Sequence, residues 1–423
     1  MKLSGCIGIN MTQDKAIEIM LRGENVFLTG EPGAGKTYTL NKFIEQAQEQ
    51  GLRIAITAST GIAASHIGGV TIHSWSGLGI KDSIKDHELD AMSYNQRIME
   101  RYNRCDVLII DEISMLHGSR LDMVDRACRW IRRKEDVPFG GLQVILVGDM
   151  FQLPPVTRGS VKADYAHQSS AWKHANLTPC YLTEQHRQGA DDDLLEILRS
   201  MRQGGITPEQ RKTLESRAGL EADDSITRLY THNVDVDSLN NRKLHELGNG
   251  IVTFHMSSKG NDYTIDKMKR NLLAPEKLEL AEGAEVMFVA NNFDNGFVNG
   301  TRGQIVGFDM DGDPIVKTTD DLRITVERHT WRQFNDTGKF VEAEVSQYPL
   351  RLAWAVTVHK SQGMSLDAAE IDLSKAFVPG MGYVALSRVR SLDGLYLTGL
   401  GPQALQLDRE IYEFDKQVKG VKV

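Results

Sequence analysis

The chain has 423 residues, with 49 Lys plus Arg against 57 Asp plus Glu and a net charge of −8. Hydrophobic residues make up 41% and charged residues 25% of the sequence, which is ordinary globular usage and excludes disordered, collagen-like and coiled-coil classes. The length predicts roughly two to three domains. The acidic balance argues against a broadly basic surface that coats nucleic acid, although it leaves room for a local channel.

No apolar stretch approaches the roughly 18 residues that a membrane span needs, and the first thirty residues lack the pattern of a secretory leader. We therefore expect a cytoplasmic protein without a membrane partner. The cysteines are scattered and have neither zinc-site nor disulfide spacing; they are Cys6, Cys105, Cys128 and Cys180. They are expected to be reduced.

Short, continuous apolar runs alternate with helical patterns in the first third of the chain, at residues 26–28, 54–56, 107–110 and 144–147. Continuous runs are typical of parallel strands that helices cover on both faces, so this region is predicted to be a doubly wound α/β domain. A second α/β set is predicted at residues 228–231, 352–357, 369–373 and 395–397, after a helical stretch over about 192–217.

A different pattern occupies residues 283–345. Short strand-like pieces at 286–289, 304–306, 314–316 and 323–326 are separated by turn signals such as Asn295-Gly296 and Asp311-Gly312. The pattern predicts a small β-barrel inserted into the second α/β domain.

The strongest local signal is the GxxxxGK[ST] pattern at residues 30–37, which follows the first predicted strand and leads into a helix. Its glycines, Gly33 and Gly35 among them, let backbone N–H groups converge on phosphates at a helix N-terminus. Lys36 is expected to reach the terminal phosphates, and Thr37 to ligate Mg²⁺. The nucleotide contacts are completed by Ala34 and Tyr38.

Two further elements follow later apolar strands. Asp111 and Glu112 come directly after the strand at 107–110, and Gln152 lies just beyond the strand at 144–147. Because the carboxyl ends of parallel strands meet at one edge of a sheet, Asp111 is expected to hold the metal, Glu112 to activate water, and Gln152 to contact the γ-phosphate or water. Together these elements predict an ATPase with ATP and Mg²⁺ as its cofactors.

Motifs along nearly the whole chain then resemble the Pif-one (petite integration frequency) family of superfamily 1B DNA helicases, to which RecD-like and Dda helicases are related. Order and spacing both agree. The matching segments are residues 9–13, 30–37, 57–64, 71–75, 111–132, 148–155, 182–188, 283–287, 298–303, 355–363 and 383–388.

The resemblance implies an α/β fold with two RecA-like P-loop motor domains and an SH3-like β-barrel in the second. The corresponding boundaries are residues 1–185 for the first motor domain, 186–282 and 346–423 for the second, and 283–345 for the barrel. A small wedge is expected in the first domain, at approximately residues 77–92.

The resemblance also assigns roles to single residues. Gln13 would read adenine, and Arg187 and Arg388 would join Gln152 at the γ-phosphate, where arginines stabilise the charge that develops during transfer. Single-stranded DNA would be bound by residues from both domains, which are Thr57, Thr60, Gly61, His73, Trp75, Thr231, Asn233, Thr357, His359 and Lys360. Trp75 could offer a stacking face to a base, or could equally belong to the core.

The function implied is an ATP-dependent 5′ to 3′ DNA helicase that acts on single strands and single-strand/duplex junctions. The family is associated with G-quadruplex unwinding, replication, repair, recombination and telomere maintenance. The resemblance further favours a monomer, associated with the nucleoid in a bacterial or phage-like setting. Two alternatives stay open: an RNA helicase of the same superfamily, and a nucleotide-switched DNA-binding module without unwinding.

Overall fold

A computed structural model of the chain describes residues 11–420, except for residues 80, 82, 158–162, 185–192, 224–225, 249, 291, 293–294, 298–299, 320, 335–339, 363 and 365. Within this described part, no helix is long and apolar enough to cross a membrane.

Twenty strands occur in the described chain: β1 Val26–Gly30, β2 Ile54–Ala58, β3 Val70–Thr71, β4 Val107–Asp111, β5 Gln143–Val147, β6 Thr178–Leu182, β7 Thr227–Tyr230, β8 Val252–His255, β9 Ser257–Gly260, β10 Lys277–Leu280, β11 Glu285–Phe288, β12 Arg302–Phe308, β13 Pro314–Thr318, β14 Arg323–Thr325, β15 His329–Phe334, β16 Val341–Gln347, β17 Leu350–Leu352, β18 Ala355–Thr357, β19 Ala369–Leu373 and β20 Leu395–Leu400.

Fourteen α-helices accompany them in that part of the chain: α1 Gln13–Leu21, α2 Lys36–Glu49, α3 Gly61–His66, α4 Ile72–Ser76, α5 Asp86–Tyr94, α6 Gln96–Arg104, α7 Gly118–Ile131, α8 Ser170–His174, α9 Asp193–Arg202, α10 Pro208–Glu215, α11 Asn233–Glu246, α12 Asp262–Asn271, α13 Met381–Leu386 and α14 Arg409–Val418. The described 3₁₀ turns are Ile113–Met115, Pro138–Gly141, Ala166–Gln168 and Leu392–Gly394.

The chain divides into two compact units, one formed by Met1–Glu221 with Ser361–Val423 and the other by Ala222–Lys360. The first unit is built on a six-stranded sheet with the order β3-β2-β4-β5-β1-β6. All its strand pairs are parallel. This arrangement brings the carboxyl ends of β1, β2, β4 and β5 to one edge, where ligands of open α/β sheets bind.

The continuous apolar runs in the sequence explain why the central strands of this sheet are buried. Every residue of β1 is buried, as are Val107 to Ile110 in β4, because helices cover both faces of the central strands. The core of this layer joins the strands to the buried faces of α1 and α2, with Met20, Leu40 and Phe43 among its fully buried side chains. The first unit also contains the parallel pair β19 and β20, together with α9, α10, α13 and α14.

The second unit contains the parallel pair β7 and β18 and a set of antiparallel strands. Its five-stranded sheet has the order β14-β13-β12-β11-β17, and a three-stranded sheet has the order β15-β16-β9. Strand β8 pairs antiparallel with β10. Its core includes Val286, Phe288 and Leu350.

The four apolar runs predicted in the first α/β region and three of the four in the second are confirmed as strands, and the four short pieces at 286–326 are β11 to β14. The predicted run at 352–357 is instead divided between the end of β17 and β18, which belong to different sheets. Strand β6 was not predicted, because Pro179 interrupts its pattern. Proline is tolerated there because β6 is an edge strand of the sheet. The predicted helical stretch over 192–217 is two helices, α9 and α10, which are separated at Gly204 and Gly205.

Candidate active site

The predicted phosphate-binding loop connects β1 to α2. Gly33 and Gly35 have φ values of 84° and 79°, a left-handed conformation that glycine adopts at little cost. The loop ends where α2 begins at Lys36. Its backbone N–H groups and the positive end of the helix dipole therefore form an anion site.

Lys36 lies inside this loop. Its Nζ donates to Gly30 O over 2.9 Å and to Glu31 O over 3.1 Å, so the ammonium group occupies the concave side of the loop. Burial lowers the pKa of Lys36, while the nearby carboxylates of Asp149 and Glu112 act in the opposite direction. A phosphate group would replace the two carbonyls as partner of this ammonium.

Asp111 ends β4 and Glu112 follows it in a left-handed conformation with φ 49°. The turn is fixed by Ser59, whose Oγ donates to Glu112 O over 2.7 Å and whose N donates to Asp111 O over 3.1 Å. Burial raises the pKa of both carboxyl groups, and the proximity of Glu112 raises that of Asp111 further. The two acidic groups therefore lie at the carboxyl edge of the sheet, where the sequence placed them.

Gln152 is buried beyond β5, and it is joined to Glu112 by a residue that the sequence analysis gave no role. Gln362 Nε2 donates to Gln152 Oε1 over 3.2 Å and lies 3.4 Å from Glu112 Oε2. The signal for Gln362 was present, because it belongs to the 355–363 motif. The side-chain amide can both donate and accept hydrogen bonds, and this property could have indicated a role for Gln362 at the site.

Arg388 lies two residues beyond α13 and is buried. Its Nε donates to Val384 O over 3.0 Å, its Nη1 to Met364 O over 3.1 Å, and its Nη2 to Ser387 Oγ over 2.8 Å. The charge of Arg388 opposes the effect of burial on the pKa of Glu112. The guanidinium therefore acts electrostatically on Glu112.

The predicted adenine-reading segment also reaches the phosphate loop. Gln13 is buried at the start of α1, and its Nε2 donates to Ala34 O over 3.3 Å. Its backbone N donates to Glu184 Oε2 over 3.1 Å. Tyr38, in the first turn of α2, has 57% of its surface exposed, and its ring is therefore accessible beside the loop.

The residues proposed for Mg²⁺ offer oxygen atoms only. Asp111 contributes a carboxylate at the end of β4, and Thr37 an exposed hydroxyl in the first turn of α2. Hard oxygen donors in small number suit Mg²⁺, which usually keeps water and substrate phosphate oxygens in its shell. The donor set therefore fits the metal that the sequence predicted.

The DNA-binding residues predicted in the first unit fall into two groups. Thr60 Oγ1 accepts from Ala63 N over 3.2 Å at the start of α3, and the backbone at Gly61 is open, since an added Cβ would meet nothing within 4 Å. Thr57, in contrast, is fully buried and its hydroxyl donates to Ile109 O. That hydroxyl is committed to the sheet.

Trp75 belongs to the core, which is the alternative that the sequence left open for it. It is 6% exposed and its ring centroid lies 4.8 Å from that of Tyr102. Neighbouring His73 is partly buried, and burial, followed by the charge of Arg120, lowers its pKa to about 4. His73 is therefore neutral at physiological pH and offers no charge to a phosphate.

The residues predicted in the second unit lie together at the carboxyl ends of β7 and β18. Thr357 pairs with Tyr230 in the parallel ladder. Lys360 N donates to Thr357 Oγ1 over 3.4 Å, and Lys360 Nζ donates to Asn233 Oδ1 over 3.3 Å. Burial, with the charge of Arg351 next, lowers the pKa of Lys360 to about 8.

The remaining members of that group are close to these. Thr231 is buried and its Oγ1 lies 2.8 Å from His232 Nδ1. Burial, followed by the charge of His232, lowers the pKa of His359. The group therefore combines hydroxyl, amide and imidazole groups with Lys360 as its single lysine, and its two threonines are buried.

Two further sequence predictions gain no support from this geometry. Arg187 lies outside the described residues. In the described part of the suggested wedge, residues 77–92, the chain forms a turn at Gly77 and the first turns of α5, without a strand. Helix α7 holds this segment, since Arg126 Nη1 donates to Ile84 O over 2.7 Å and Trp130 Nε1 to Asp90 Oδ1 over 3.2 Å.

A parallel sheet with a glycine loop after its first strand, an acidic pair after β4 and an amide after β5 defines the class of P-loop nucleoside triphosphatases. The family is shown by comparison with known proteins. The profile of the family described as PIF1-like helicase matches residues 9–212, and that of the DNA helicase Pif1 2B domain matches residues 265–308.

An ATP-dependent DNA helicase Pif1 from Psychrobacter sp. (strain PRwf-1) is 40% identical over 472 residues, which covers 98% of this chain and 71% of the relative. The crystal structure of Pif1 helicase from Candida albicans has a TM-score of 0.88 at 32% identity, covering 96% of this chain and 98% of that one. The Pif1 helicase from Bacteroides in complex with ADP-AlF3 and ssDNA has a TM-score of 0.78 at 30% identity, covering 96% of both chains.

The chain belongs to the PIF1-like helicase family, which is the family that the sequence motifs resemble. The structural likeness also confirms the predicted fold class of two RecA-like motor domains with a small β domain.

Proposed function

We propose that this protein is a motor that moves 5′ to 3′ along single-stranded DNA and separates the duplex ahead of it. As a member of the Pif1 family, the chain is an ATP-hydrolysing DNA helicase. The direction of movement is taken from the family resemblance, because residue types do not encode polarity.

One observation carries the ATPase part of the proposal. Lys36, Glu112 and Gln152 converge at one edge of the parallel sheet, and Gln362 and Arg388 reach the same place from a distant part of the sequence. A phosphoryl-transfer site needs cations for the developing charge, a group that orients water, and a link to a moving element. Lys36 and Arg388 supply the cations, Glu112 can orient water, and Gln362 is the proposed link to a moving element.

The roles of these residues follow from their chemistry. Lys36 and the loop N–H groups hold the phosphates, and Glu112 orients the attacking water. Gln362 holds the Glu112 carboxylate through its amide, and Gln152 accepts from the same amide. Arg388 stabilises negative charge on the equatorial oxygens of the γ-phosphoryl group. Mg²⁺ held by Asp111 and Thr37 would neutralise charge on the phosphate oxygens.

Gln13 and Arg187 complete the proposed nucleotide contacts. The bond from Gln13 to Ala34 supports the assignment of Gln13, because it brings the amide next to the phosphate loop. Tyr38 is exposed beside that loop and is proposed to lie along the nucleotide. Arg187 is proposed as a second γ-phosphate arginine on its motif alone.

Single-stranded DNA is the proposed polymer. The Bacteroides relative was solved with ssDNA bound, and the second-unit group around Lys360 supports strand binding in this chain. Small hydroxyl and amide groups bond phosphate oxygens without reading sequence. We propose Thr60, Gly61, Thr231, Asn233, Thr357, His359 and Lys360 as its contacts. Thr57 is not included because its hydroxyl is bonded within the sheet, and His73 is not included because it carries no charge.

We propose the domain boundaries that the sequence predicts. The first motor domain, residues 1–185, is supported by the end of the six-stranded sheet at Leu182. The barrel, residues 283–345, is supported by the antiparallel strands β11 to β14. The second motor domain would comprise 186–282 and 346–423, with the wedge near 77–92.

The finer biological setting is also a proposal. Family membership supports action at single-strand/duplex junctions and on G-quadruplex DNA, in replication and repair. We propose a monomer that works at the nucleoid, a setting supported by the bacterial source of the Psychrobacter relative.

The test is ATP-dependent strand separation on two matched partial duplexes, one with a 5′ tail and one with a 3′ tail. Unwinding of the 5′-tailed substrate alone is expected. Unwinding of the 3′-tailed substrate alone would contradict the polarity and leave the ATPase intact. DNA-stimulated hydrolysis without unwinding would indicate a translocase.

The Lys36→Ala protein is the control and should neither hydrolyse ATP nor unwind. Glu112→Gln should bind ATP and fail to hydrolyse it. DNA-stimulated hydrolysis in the wild-type protein that is lost in this variant would exclude a nucleotide-switched binding module without motor action. Comparing the stimulation of ATP hydrolysis by DNA and by RNA of the same sequence distinguishes a DNA helicase from an RNA helicase. Stronger stimulation by DNA is expected.

A further inference from the structure

Arg202 is a buried charged residue for which the proposed mechanism has no use. It ends α9, and its side chain is 2% exposed. Its Nη1 donates to Asp149 Oδ1 over 2.7 Å and to Tyr383 OH over 2.9 Å. Its Nη2 donates to Tyr181 OH over 2.8 Å and to Asp415 Oδ1 over 3.3 Å. One guanidinium therefore joins four separate segments of the first unit.

The first of these segments is the turn that presents Gln152. Asp149 is fully buried and shapes that turn, because its Oδ1 accepts from Phe151 N over 3.1 Å and its carbonyl from Gln152 N over 3.0 Å. The guanidinium of Arg202 also lies over the Phe151 ring, 4.5 Å from its centroid. Arg202 thus contacts the turn twice, through an ion pair with Asp149 and through a cation–π contact with Phe151.

The second segment is the helix that leads to Arg388. Tyr383 lies in α13, and its hydroxyl donates to Asp149 Oδ2 over 2.8 Å. The helix begins against the same turn, since a Cβ added at Gly380 would lie 2.7 Å from Phe151 O and 2.9 Å from Gln152 O. Helix α13 is therefore seated directly on the turn, and Arg202 binds both sides of that contact.

The third segment is the C-terminal helix α14. Asp415 on this helix accepts from Arg202, and Tyr412 OH donates to Met201 O over 2.6 Å. The Tyr412 ring lies 5.3 Å from the Phe151 ring, centroid to centroid. Helix α14 is anchored to the end of α9 and to the turn at the same time.

We propose that Arg202 is a positioning residue for ATP hydrolysis: its guanidinium fixes the spacing between the 149–152 turn and helix α13, and ties both to helix α14. The inference rests on the proposed roles of Gln152 and Arg388, which these two segments carry. It assigns to α14 a part in hydrolysis although α14 contributes no group to the phosphate site.

Physical chemistry favours this role over a purely stabilising one. Buried ion pairs contribute little net stability, because desolvation of both charges offsets their attraction, whereas they can fix one arrangement of neighbouring segments. Only arginine offers a planar fork with several donors, so lysine cannot hold all four partners. Burial alone would raise the pKa of Asp149, but Arg202 and Lys36 outweigh it and the pKa is lowered, so Asp149 remains a charged acceptor.

The experiment measures kcat and KM for ATP in the full chain, with saturating single-stranded DNA, for Arg202→Lys, Tyr383→Phe and Asp415→Asn. Loss of charge-assisted hydrogen bonds should lower kcat about ten-fold in Arg202→Lys and about three-fold in the other two, with KM changed less than about two-fold. The double variant Arg202→Lys with Tyr383→Phe should have the same kcat as Arg202→Lys alone, since the two residues act as one unit.

Arg211→Lys is the matched control, because Arg211 forms an exposed ion pair with Glu215 on α10 and should leave both constants unchanged. Unchanged kcat in Arg202→Lys, or a rise in KM alone, would overturn the inference. Should Arg202→Lys fail to fold, Tyr383→Phe, which keeps the ring, decides by the same criteria. Turnover that persists in Lys36→Ala or Glu112→Gln would instead contradict the proposed function itself.

Discussion

The side-chain amide of Gln362 donates to Gln152 Oε1 over 3.2 Å, although the two residues are 210 positions apart in the sequence. The same Nε2 lies 3.4 Å from Glu112 Oε2. A single amide thus bridges the ends of β4 and β5. Gln362 is therefore a direct partner of Glu112, which is proposed to orient the attacking water.

Replacing Gln362 by Ala should lower DNA-stimulated kcat about thirty-fold, because two hydrogen bonds of about 1 kcal/mol each are lost, one to Glu112 and one to Gln152. ATP binding should be retained, since Gln362 contacts no residue of the phosphate loop among its described partners. Steady-state ATPase assays and nucleotide titration measure the two effects. Gln406→Ala is the control, because Gln406 is exposed and its side chain bonds only to Pro402 O among the described contacts, while the substitution keeps its backbone bonds. Equal kcat in the two variants would contradict the bridge.

Arg388→Ala should leave ATP binding largely intact and reduce turnover by about 10³-fold or more, the range typical of arginines that stabilise a transferring phosphoryl group. Single-turnover hydrolysis with excess enzyme is the measurement. Arg390→Ala is the matched control: Arg390 lies nearby in sequence and forms an exposed ion pair with Asp367. Normal hydrolysis by Arg388→Ala would show that Arg388 has no role at the γ-phosphate.

Affinity for single-stranded DNA should weaken as pH rises through about 8, because burial and then Arg351 lower the pKa of Lys360 to about 8. The sign follows from lysine being charged below its pKa: the phosphate contact is present at pH 7 and is lost above pH 8 as the amine becomes neutral. DNA titrations between pH 7 and 9 at constant ionic strength measure this loss. Lys360→Arg keeps its charge over that range and should bind with a flat pH profile; a wild-type profile equally flat would exclude Lys360 from the contact.

The salt dependence of DNA binding should be shallow. If three or four phosphates are neutralised, log Kobs should fall against log salt with a slope of about −2 to −3, since each neutralised phosphate of a single strand contributes about −0.7. Fluorescence titrations over a range of NaCl concentrations give this slope. Lys360→Ala should reduce it by about 0.7. A slope equivalent to ten or more phosphates would instead indicate a broad cationic surface, against the acidic balance of the chain.

The sequence by itself determined those features that depend on residues close together in the chain, which are the phosphate loop and the strands with the acidic pair. The phosphate loop could be identified because glycine spacing and the following helix are local, and φ values near 80° at Gly33 and Gly35 are what such a loop demands. Asp111 and Glu112 could be placed because a short continuous apolar run rich in Val and Ile is typical of a buried strand between helical layers. The carboxyl edge of the sheet follows from that topology.

The tertiary structure alone decided which side chains meet across long stretches of sequence and which are buried. Trp75 and Thr57 have residue types that suit DNA binding, yet packing places the ring against Tyr102 and commits the hydroxyl to Ile109 O. Arg202 gave no distinct local signal, and Gln362 was marked only as a member of the 355–363 motif, without a role of its own. Their partners lie up to 250 residues away, and such contacts are set by how the layers pack, because the free energy of burial depends on all neighbours in space and not on those in sequence.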